Sequence, residues 1–200
     1  LLVGTPFAYL LARSTSPLLR LVEALIELPI ILPPVVAGVA MLMAFGRQGI
    51  IGPALENIGI TLPFTTIAVV FAQMFVASPF YIRSARLGFQ SVARDYEDVS
   101  QTLGVPPWWT FWRLTLPLAA PSLATGIALA WARAMAEFGA TLMFAGNLTG
   151  KTQTMPLAIM TTMESSLDAA LALSVLLVVG CVTLLLLLSL ATRRQWQGRL

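Results

Sequence analysis

The sequence contains no histidine and only one cysteine, Cys181, which lies in an apolar run. Without histidine the chain lacks the commonest metal ligand and the usual general base, and a lone cysteine excludes an intrachain disulfide. We therefore expect neither an enzyme nor a cofactor site. Charge is also scarce, since 10% of the 200 residues are charged and 58% are hydrophobic. A soluble domain needs more charge to cover its surface, so the composition predicts a membrane protein.

Four apolar segments reach the length of a membrane-spanning helix, about 20 residues. They are Leu28–Phe45, Leu62–Ile82, Leu114–Ala132 with a continuation to Ala145, and Ala169–Thr192. Leu1–Ala12 is similar to the inner half of a fifth span, and we expect an N-terminal helix to be missing before it. Buried helices of a soluble bundle would instead show a polar face at helical spacing. These segments are apolar on all sides, which predicts an all-α bundle of about five spans.

The distribution of basic residues predicts the orientation of the chain. They are concentrated in the first and third connections and in the tail, which contains Arg193, Arg194 and Arg199, whereas the opposite connections contain only Arg47 and Lys151. Loops rich in lysine and arginine stay in the cytoplasm. We therefore expect a multi-pass protein of a bacterial or archaeal plasma (inner) membrane, with a cytoplasmic C-terminus.

The connection Arg83–Arg113 is the only long polar segment of the sequence. Its acidic cluster, Asp95, Glu97 and Asp98, is expected to precede a short helix that stops at Gly104, because glycine adopts the left-handed conformation that ends helices. Two prolines, residues 106 and 107, then suit the start of a second short helix. Its aromatic residues would form a knob exposed to the cytoplasm: Trp108, Trp109, Phe111 and Trp112. An interfacial anchor is the alternative, because tryptophans also gather at the headgroup level.

The spacing in this connection resembles a motif of bacterial ABC importer permeases. Asp98-Val99-Ser100, then Gly104, then Leu116-Pro117 follow the offsets of the family's Glu-Ala-Ala…Gly…Leu-Pro motif, with Val99 and Ser100 replacing two alanines. In that family the loop is a coupling helix that inserts into a cleft on the ATP-binding subunit. The resemblance therefore implies a set of ATPase-coupling residues. These are Glu97, Asp98, Val99, Ser100, Gly104, Val105, Pro106, Trp108, Arg113 and Pro117.

A second stretch resembles the molybdate, tungstate and sulfate branch of these permeases. The matching segments are RAMAEFGAT at 133–141 and FAGN at 144–147, and TQTMPLAI at 152–159 is similar to the molybdate or tungstate members. The resemblance covers nearly the whole chain and implies one type I ABC importer transmembrane domain over residues 1–200, without a C-terminal regulatory domain. The implied partners are a second permease copy in a homodimer, two ABC ATPase subunits, an extracytoplasmic oxyanion-binding protein and the lipid membrane, and no nucleic acid is expected.

Arg133 and Glu137 lie four residues apart, so they are expected to share one helix face and to pair. Charges inside a span normally face the bundle interior or a water-filled path. Arg133 could draw a tetrahedral oxyanion through the path, or the pair could lock two helices or two subunits together. We favour the lock, because a fixed cation would trap a dianion. Three further residues are grouped with the pair as pathway or helix-locking residues: Pro33, Pro34 and Gly139.

Other function classes fit the sequence less well. The segment Gly146–Thr152 resembles a nucleotide-binding P-loop, but it has three residues between its glycines where the motif has four, so we expect no ATP site there. A secondary transporter should show inverted repeats with ionisable residues at mid-membrane, to which only Arg133 and Glu137 come close. Within the ABC importers, a sulfate or thiosulfate permease is the alternative to a molybdate or tungstate permease.

Overall fold

The computed structural model describes residues 1–197, and the side chains of residues 1–188 and Leu190. The tail residue Arg199 and the side chains of Arg193 and Arg194 lie outside this description. The helices in chain order are α1 Gly4–Arg13, α2 Pro17–Ile31, α3 Pro34–Phe45, α4 Gly52–Asn57, α5 Thr66–Ser91, α6 Arg94–Thr102, α7 Pro107–Thr110, α8 Leu116–Met135, α9 Gly139–Ala145, α10 Met155–Met163 and α11 Leu167–Gln197.

Within the described residues, three helical stretches are long and apolar enough to cross a membrane: Thr66–Ser91, Pro107–Met135 and Leu167–Leu188. They correspond to three of the predicted spans. The most apolar window of the third has a mean hydropathy of 3.0, and none of it is buried within the chain. A surface of this kind is suited to contact with lipid or with another apolar helix.

The prediction of one helix over Leu28–Phe45 is wrong. Helix α2 ends at Ile31 and α3 begins at Pro34. Proline has no N–H to donate to the preceding turn, and it disfavours helical geometry in the residue before it. Two consecutive prolines therefore end one helix, and the second occupies the first position of the next, where the missing N–H costs nothing.

The expected second short helix of the polar connection is not a separate element. Helix α7 continues through a π-helical turn, Phe111–Thr115, directly into α8, where the N–H of Leu116 donates to the Phe111 carbonyl. Pro117 explains the wider turn, because it cannot donate to the Arg113 carbonyl and its ring crowds that oxygen. Helix α5 also runs beyond Ile82 to Ser91, so the first part of the predicted polar connection is helical.

The chain divides into two compact units. Unit 1 contains Leu1–Glu27, Ser78–Ala130 and the chain from Leu187, and unit 2 contains Leu28–Ala77 and Trp131–Leu186. The unit 1 core is built on α1, the C-terminal part of α5 and the N-terminal part of α8, and its central side chain is the fully buried Phe89. The unit 2 core surrounds the fully buried Phe144, between α3, α9 and the N-terminal part of α5.

Candidate functional site: a docking loop and a broken-helix pair

Helix α6 carries the acidic cluster of the polar connection. Asp95 and Glu97 lie in its first turn, so the expectation that the cluster precedes the helix is wrong. Carboxylates in a first turn stabilise a helix, because they face the positive end of its dipole. The charge pattern indicated the helix correctly but misplaced its start.

The C-terminus of α6 is a Schellman motif centred on Gly104. The N–H of Gly104 donates to the Gln101 carbonyl at 2.9 Å, and the N–H of Val105 donates to the Ser100 carbonyl at 3.1 Å. Gly104 has φ +78°, which a residue with a Cβ adopts only at a cost of about 1–2 kcal/mol. The predicted left-handed stop is confirmed, and it turns the chain towards α7.

Helix α7 begins at the predicted proline pair. Pro106 is its N-cap and Pro107 its first residue, and the Pro106 carbonyl accepts the Trp109 N–H at 2.9 Å. A hydrogen bond between the hydroxyls of Ser100 and Thr110, 2.8 Å long, joins α6 to α7. The Schellman motif and this hydroxyl hydrogen bond therefore both stabilise the turn between α6 and α7.

One face of this loop exposes large apolar side chains next to a carboxylate. The exposed fraction is 65% for Trp108 and 77% for Leu103, and Asp98 is exposed as well. The Arg113 guanidinium lies 4.4 Å from the centre of the Trp109 ring, which fixes that indole by a cation–π contact. Exposed apolar patches rimmed by polar groups mark interaction sites. We call this face the docking surface; its members are Asp98, Val99, Leu103, Val105, Trp108, Trp109 and Trp112.

The Glu97 side chain is not part of the docking surface. It packs against other residues of unit 1, and only 13% of it is exposed. Its Oε1 accepts a hydrogen bond from Arg13 Nη2 at 2.7 Å and another from Thr115 Oγ1 at 2.8 Å. The same guanidinium donates to the Val92 carbonyl. The sequence reasoning missed Arg13 and Thr115 as site residues, and no local pattern connects residues 84 positions apart.

In unit 2, Arg133 and Glu137 form the predicted ion pair, with Nη1 and Oε2 2.8 Å apart. The reason given for it was wrong, because α8 ends at Met135 and Glu137 lies in the link before α9 rather than on a shared helix face. The Glu137 side chain is 1% exposed, and its Oε1 accepts the Ala140 N–H at 2.7 Å. The carboxylate therefore holds the end of α8 to the start of α9.

Helices α3 and α9 pack so closely that two of their contact positions have room only for glycine. A Cβ added to Gly38 would lie 2.7 Å from the Ala140 carbonyl oxygen and 2.8 Å from the Met143 Cβ. A Cβ on Gly139 would lie 3.0 Å from the Pro34 Cβ. Pro34 and Gly139, two residues predicted from sequence, therefore touch across the same helix pair, and Pro33 caps the start of α3.

An open cleft of about 920 Å³ lies in unit 2 near the end of α3. Its charged lining residues are Arg47, Glu56 and Lys151, and the first two form a long ion pair of 3.7 Å. Both cations of the predicted outer connections therefore line one cleft. The lining combines these charges with apolar side chains such as Phe64.

The segment that resembles a P-loop is built as a structural turn. It follows helix α9 rather than a strand, and Thr152 is 2% exposed. The Thr152 hydroxyl accepts the Leu148 N–H at 3.0 Å and donates to the Gly146 carbonyl at 3.1 Å. That hydroxyl would have to face a bound magnesium ion in a true P-loop, so the geometry agrees with the expectation that this is no ATP site.

Comparison with known proteins places the chain in a family. Residues 4–197 match the family described as "Binding-protein-dependent transport system inner membrane component". The molybdenum transport system permease protein ModB of Mycobacterium tuberculosis is 50% identical over 89% of this chain and 67% of its own length. ModB of Escherichia coli is 39% identical over 81% of this chain and 71% of its own.

Two further similarities bear on substrate and fold. The sulfate transport system permease protein CysW of Synechococcus elongatus is 40% identical over 78% of this chain and 54% of its own length. A chain of the methionine ABC transporter MetNI, solved in inward-facing conformations, has a TM-score of 0.68 at 17% identity, covering 98% of this chain and 86% of that one. The predicted all-α fold of a type I ABC importer transmembrane domain is thereby confirmed. The chain belongs to the family of inner membrane components of binding-protein-dependent transport systems.

Proposed function

We propose that this chain is the permease subunit of an ABC importer that moves molybdate or tungstate into the cytoplasm. The observation that carries the proposal is the 50% identity to a permease named for molybdenum transport, over 89% of the chain. Membership of a binding-protein-dependent family supports delivery of the oxyanion by an extracytoplasmic binding protein. ATP hydrolysis belongs to a separate ATPase subunit, and two copies of this chain line one path.

The docking surface is the proposed binding site for the ATPase. It combines the exposed Trp108 with the exposed carboxylate of Asp98, a composition typical of the core and rim of a protein interface. Four of the coupling residues predicted from sequence are exposed members of this surface, namely Asp98, Val99, Val105 and Trp108. With the basic connections and the C-terminus in the cytoplasm, the docking surface faces the nucleotide-bearing compartment. Closure of the two ATPases would then rock the permease copies as rigid bodies.

The cleft in unit 2 supports an entry role for an anion. In the predicted orientation it opens on the outer side, where Arg47 and Lys151 are the cations of the connections. Two cations, Arg47 and Lys151, and one carboxylate, Glu56, give the lining a net positive charge, and an excess of positive charge in a cleft raises the local concentration of anions. We place the arrival of the oxyanion here, and assign the outer segment 146–168 to the surface that receives the binding protein.

Reconstituted complex in lipid vesicles tests the substrate. ATPase activity should be stimulated by binding protein loaded with molybdate or tungstate, and oxyanion should accumulate in the compartment that represents the cytoplasm. The control is the same binding protein without ligand. Sulfate is the specific rival, because a sulfate permease is 40% identical over 78% of the chain. Stimulation by sulfate-loaded protein alone would contradict the proposed substrate.

Trp108→Ala should weaken association with the ATPase subunit by about tenfold or more, because a large exposed aromatic at the centre of an interface is a common hot spot worth about 2 kcal/mol. The measurement is the dissociation constant between purified permease and ATPase in detergent. Ile50→Ala is the matched control, since Ile50 is 90% exposed but lies in unit 2, on the predicted outer side. Unchanged affinity of the Trp108 variant would favour the interfacial-anchor alternative.

A further inference from the structure

Two adjacent carboxylates of α6 lie in different surroundings. Asp98 is exposed, whereas the Glu97 side chain is 13% exposed. Asp95, the third acidic residue of α6, is exposed as well, so Glu97 is the acidic side chain that this helix directs into the protein. A carboxylate withdrawn from water in this way keeps its charge only if donors replace the water. We therefore ask which donors surround Glu97. A carboxylate enclosed in this way is not available to contact a docked protein.

Glu97 brings three chain segments together at one oxygen atom. Arg13, the last residue of α1, donates from 2.7 Å. Thr115, the last residue of the π-turn that leads into α8, donates from 2.8 Å and is fully buried. Charge-assisted hydrogen bonds of this length are about twice as strong as neutral ones. We call Arg13, Glu97 and Thr115 the inner clamp.

Further contacts connect the inner clamp to the ends of α1, α5 and α8. The Arg13 guanidinium also holds the Val92 carbonyl at 3.2 Å, just after α5 ends, and Arg94 Nη2 donates to the Arg13 carbonyl at 2.8 Å. Tyr9 of α1 packs edge-on against Phe111 of the π-turn, with ring centres 5.0 Å apart. The ends of α1, α5 and α8 thus meet beside Glu97.

We infer that Glu97 is a positioning residue that transmits displacement of α6 to α1 and α8, rather than a residue that contacts the ATPase. The inference rests on the proposed function. The docking surface receives the ATPase through exposed side chains, and the inner clamp converts movement of that surface into movement of the membrane helices. Without the clamp, α6 remains attached through its chain ends, the Ser100–Thr110 bond and the hydrogen bond from Arg94 to the Arg13 carbonyl, so the ATPase can still bind while less of its motion reaches α1 and α8.

Glu97→Gln tests the inference in the complete complex in lipid vesicles. Glutamine keeps the shape but removes the charge that both donors share. The number of oxyanions transported per ATP hydrolysed should fall at least about fivefold, the lower end of the range for coupling between sites, while the ATPase remains bound in its normal amount. Asp95→Asn is the matched control, because Asp95 is an exposed carboxylate in the same helical turn. Its transport ratio should equal that of the wild type.

A double-mutant cycle and a milder variant complete the test. Arg13→Gln should also lower the ratio, and the double variant should fall by less than the two single falls combined, because both changes remove the Arg13–Glu97 interaction. Should Glu97→Gln fail to assemble, Thr115→Val removes one donor only and should give a smaller fall of the same sign. The inference would be overturned if any of these variants assembled and transported as many oxyanions per ATP hydrolysed as the wild type. Absence of oxyanion transport by the wild-type complex would contradict the proposed function instead.

Discussion

Gly38→Val is expected to leave little folded permease in the membrane. The Cβ alone would lie 2.7 Å from the Ala140 carbonyl oxygen and 2.8 Å from both the Ala140 Cα and the Met143 Cβ. Two of these three atoms belong to the backbone of α9, so relief requires that α3 and α9 separate. Overpacking of a core costs about 1–3 kcal/mol, and valine adds two methyl groups to the clash. The expected result is a large fall in both yield and thermal midpoint of the purified protein.

Gly180→Ala is the matched control for this prediction. Gly180 lies within α11, and a Cβ added there meets none of the described atoms within 4 Å. Alanine in a helix interior is favoured over glycine by about 0.5–1 kcal/mol, so the thermal midpoint should stay equal or rise slightly. Equal midpoints for Gly38→Val and the wild type would show that the α3–α9 contact does not limit the stability of the protein.

Arg133→Gln is expected to reduce assembly of the permease more than it changes the preference among oxyanions. It leaves the Glu137 carboxylate, which is 1% exposed, with the Ala140 N–H as its remaining donor at 2.7 Å. Removal of one partner from a buried ion pair costs about 3–5 kcal/mol, because the other charge stays buried. Since the Arg133 side chain keeps 25% exposure, the lower end of that range applies. The measurements are dimer yield by size-exclusion chromatography and ATPase stimulation by each loaded oxyanion.

Arg47→Gln serves as the stability control for the Arg133 variant. Its ion pair with Glu56 is 3.7 Å long and the arginine side chain is 78% exposed. Exposed pairs contribute about 0–1 kcal/mol, so dimer yield should not change. A normal dimer yield for Arg133→Gln together with an altered anion preference would instead assign Arg133 to the transport path, the role that the lock interpretation rejects.

Helix boundaries that depend on backbone chemistry were predictable from the sequence. The stop at Gly104 follows from its left-handed conformation, and the start at Pro107 from a residue that needs no N–H donor. The break before α3 carries the same kind of signal in Pro33 and Pro34, although length and hydropathy favour one span over Leu28–Phe45. Length and hydropathy report that a segment suits the membrane, not that it is one helix.

The break between α8 and α9 had no such local signal. Ala134, Met135 and Ala136 are compatible with a helix. Glu137 lies outside α8, where its carboxylate both accepts the Ala140 N–H and pairs with Arg133. The gain depends on the burial of the Glu137 side chain, which is 1% exposed, and a sequence window does not contain that burial. The inward direction of Glu97 escaped prediction for the same reason, since its partner Arg13 is brought near only by the fold.

The π-turn has a consequence for rotation about the helix axis. Each residue of an α-helix turns the chain by about 100°, and a π-turn accommodates one residue more per turn than the α-helix on either side. Phe111–Thr115 therefore fixes the angle about the helix axis between the indoles of α7 and the side chains of α8. At this angle Thr115 faces Glu97 while Trp108 and Trp112 face outward. The position of one proline, Pro117, thus sets the direction in which the exposed indoles point relative to α8.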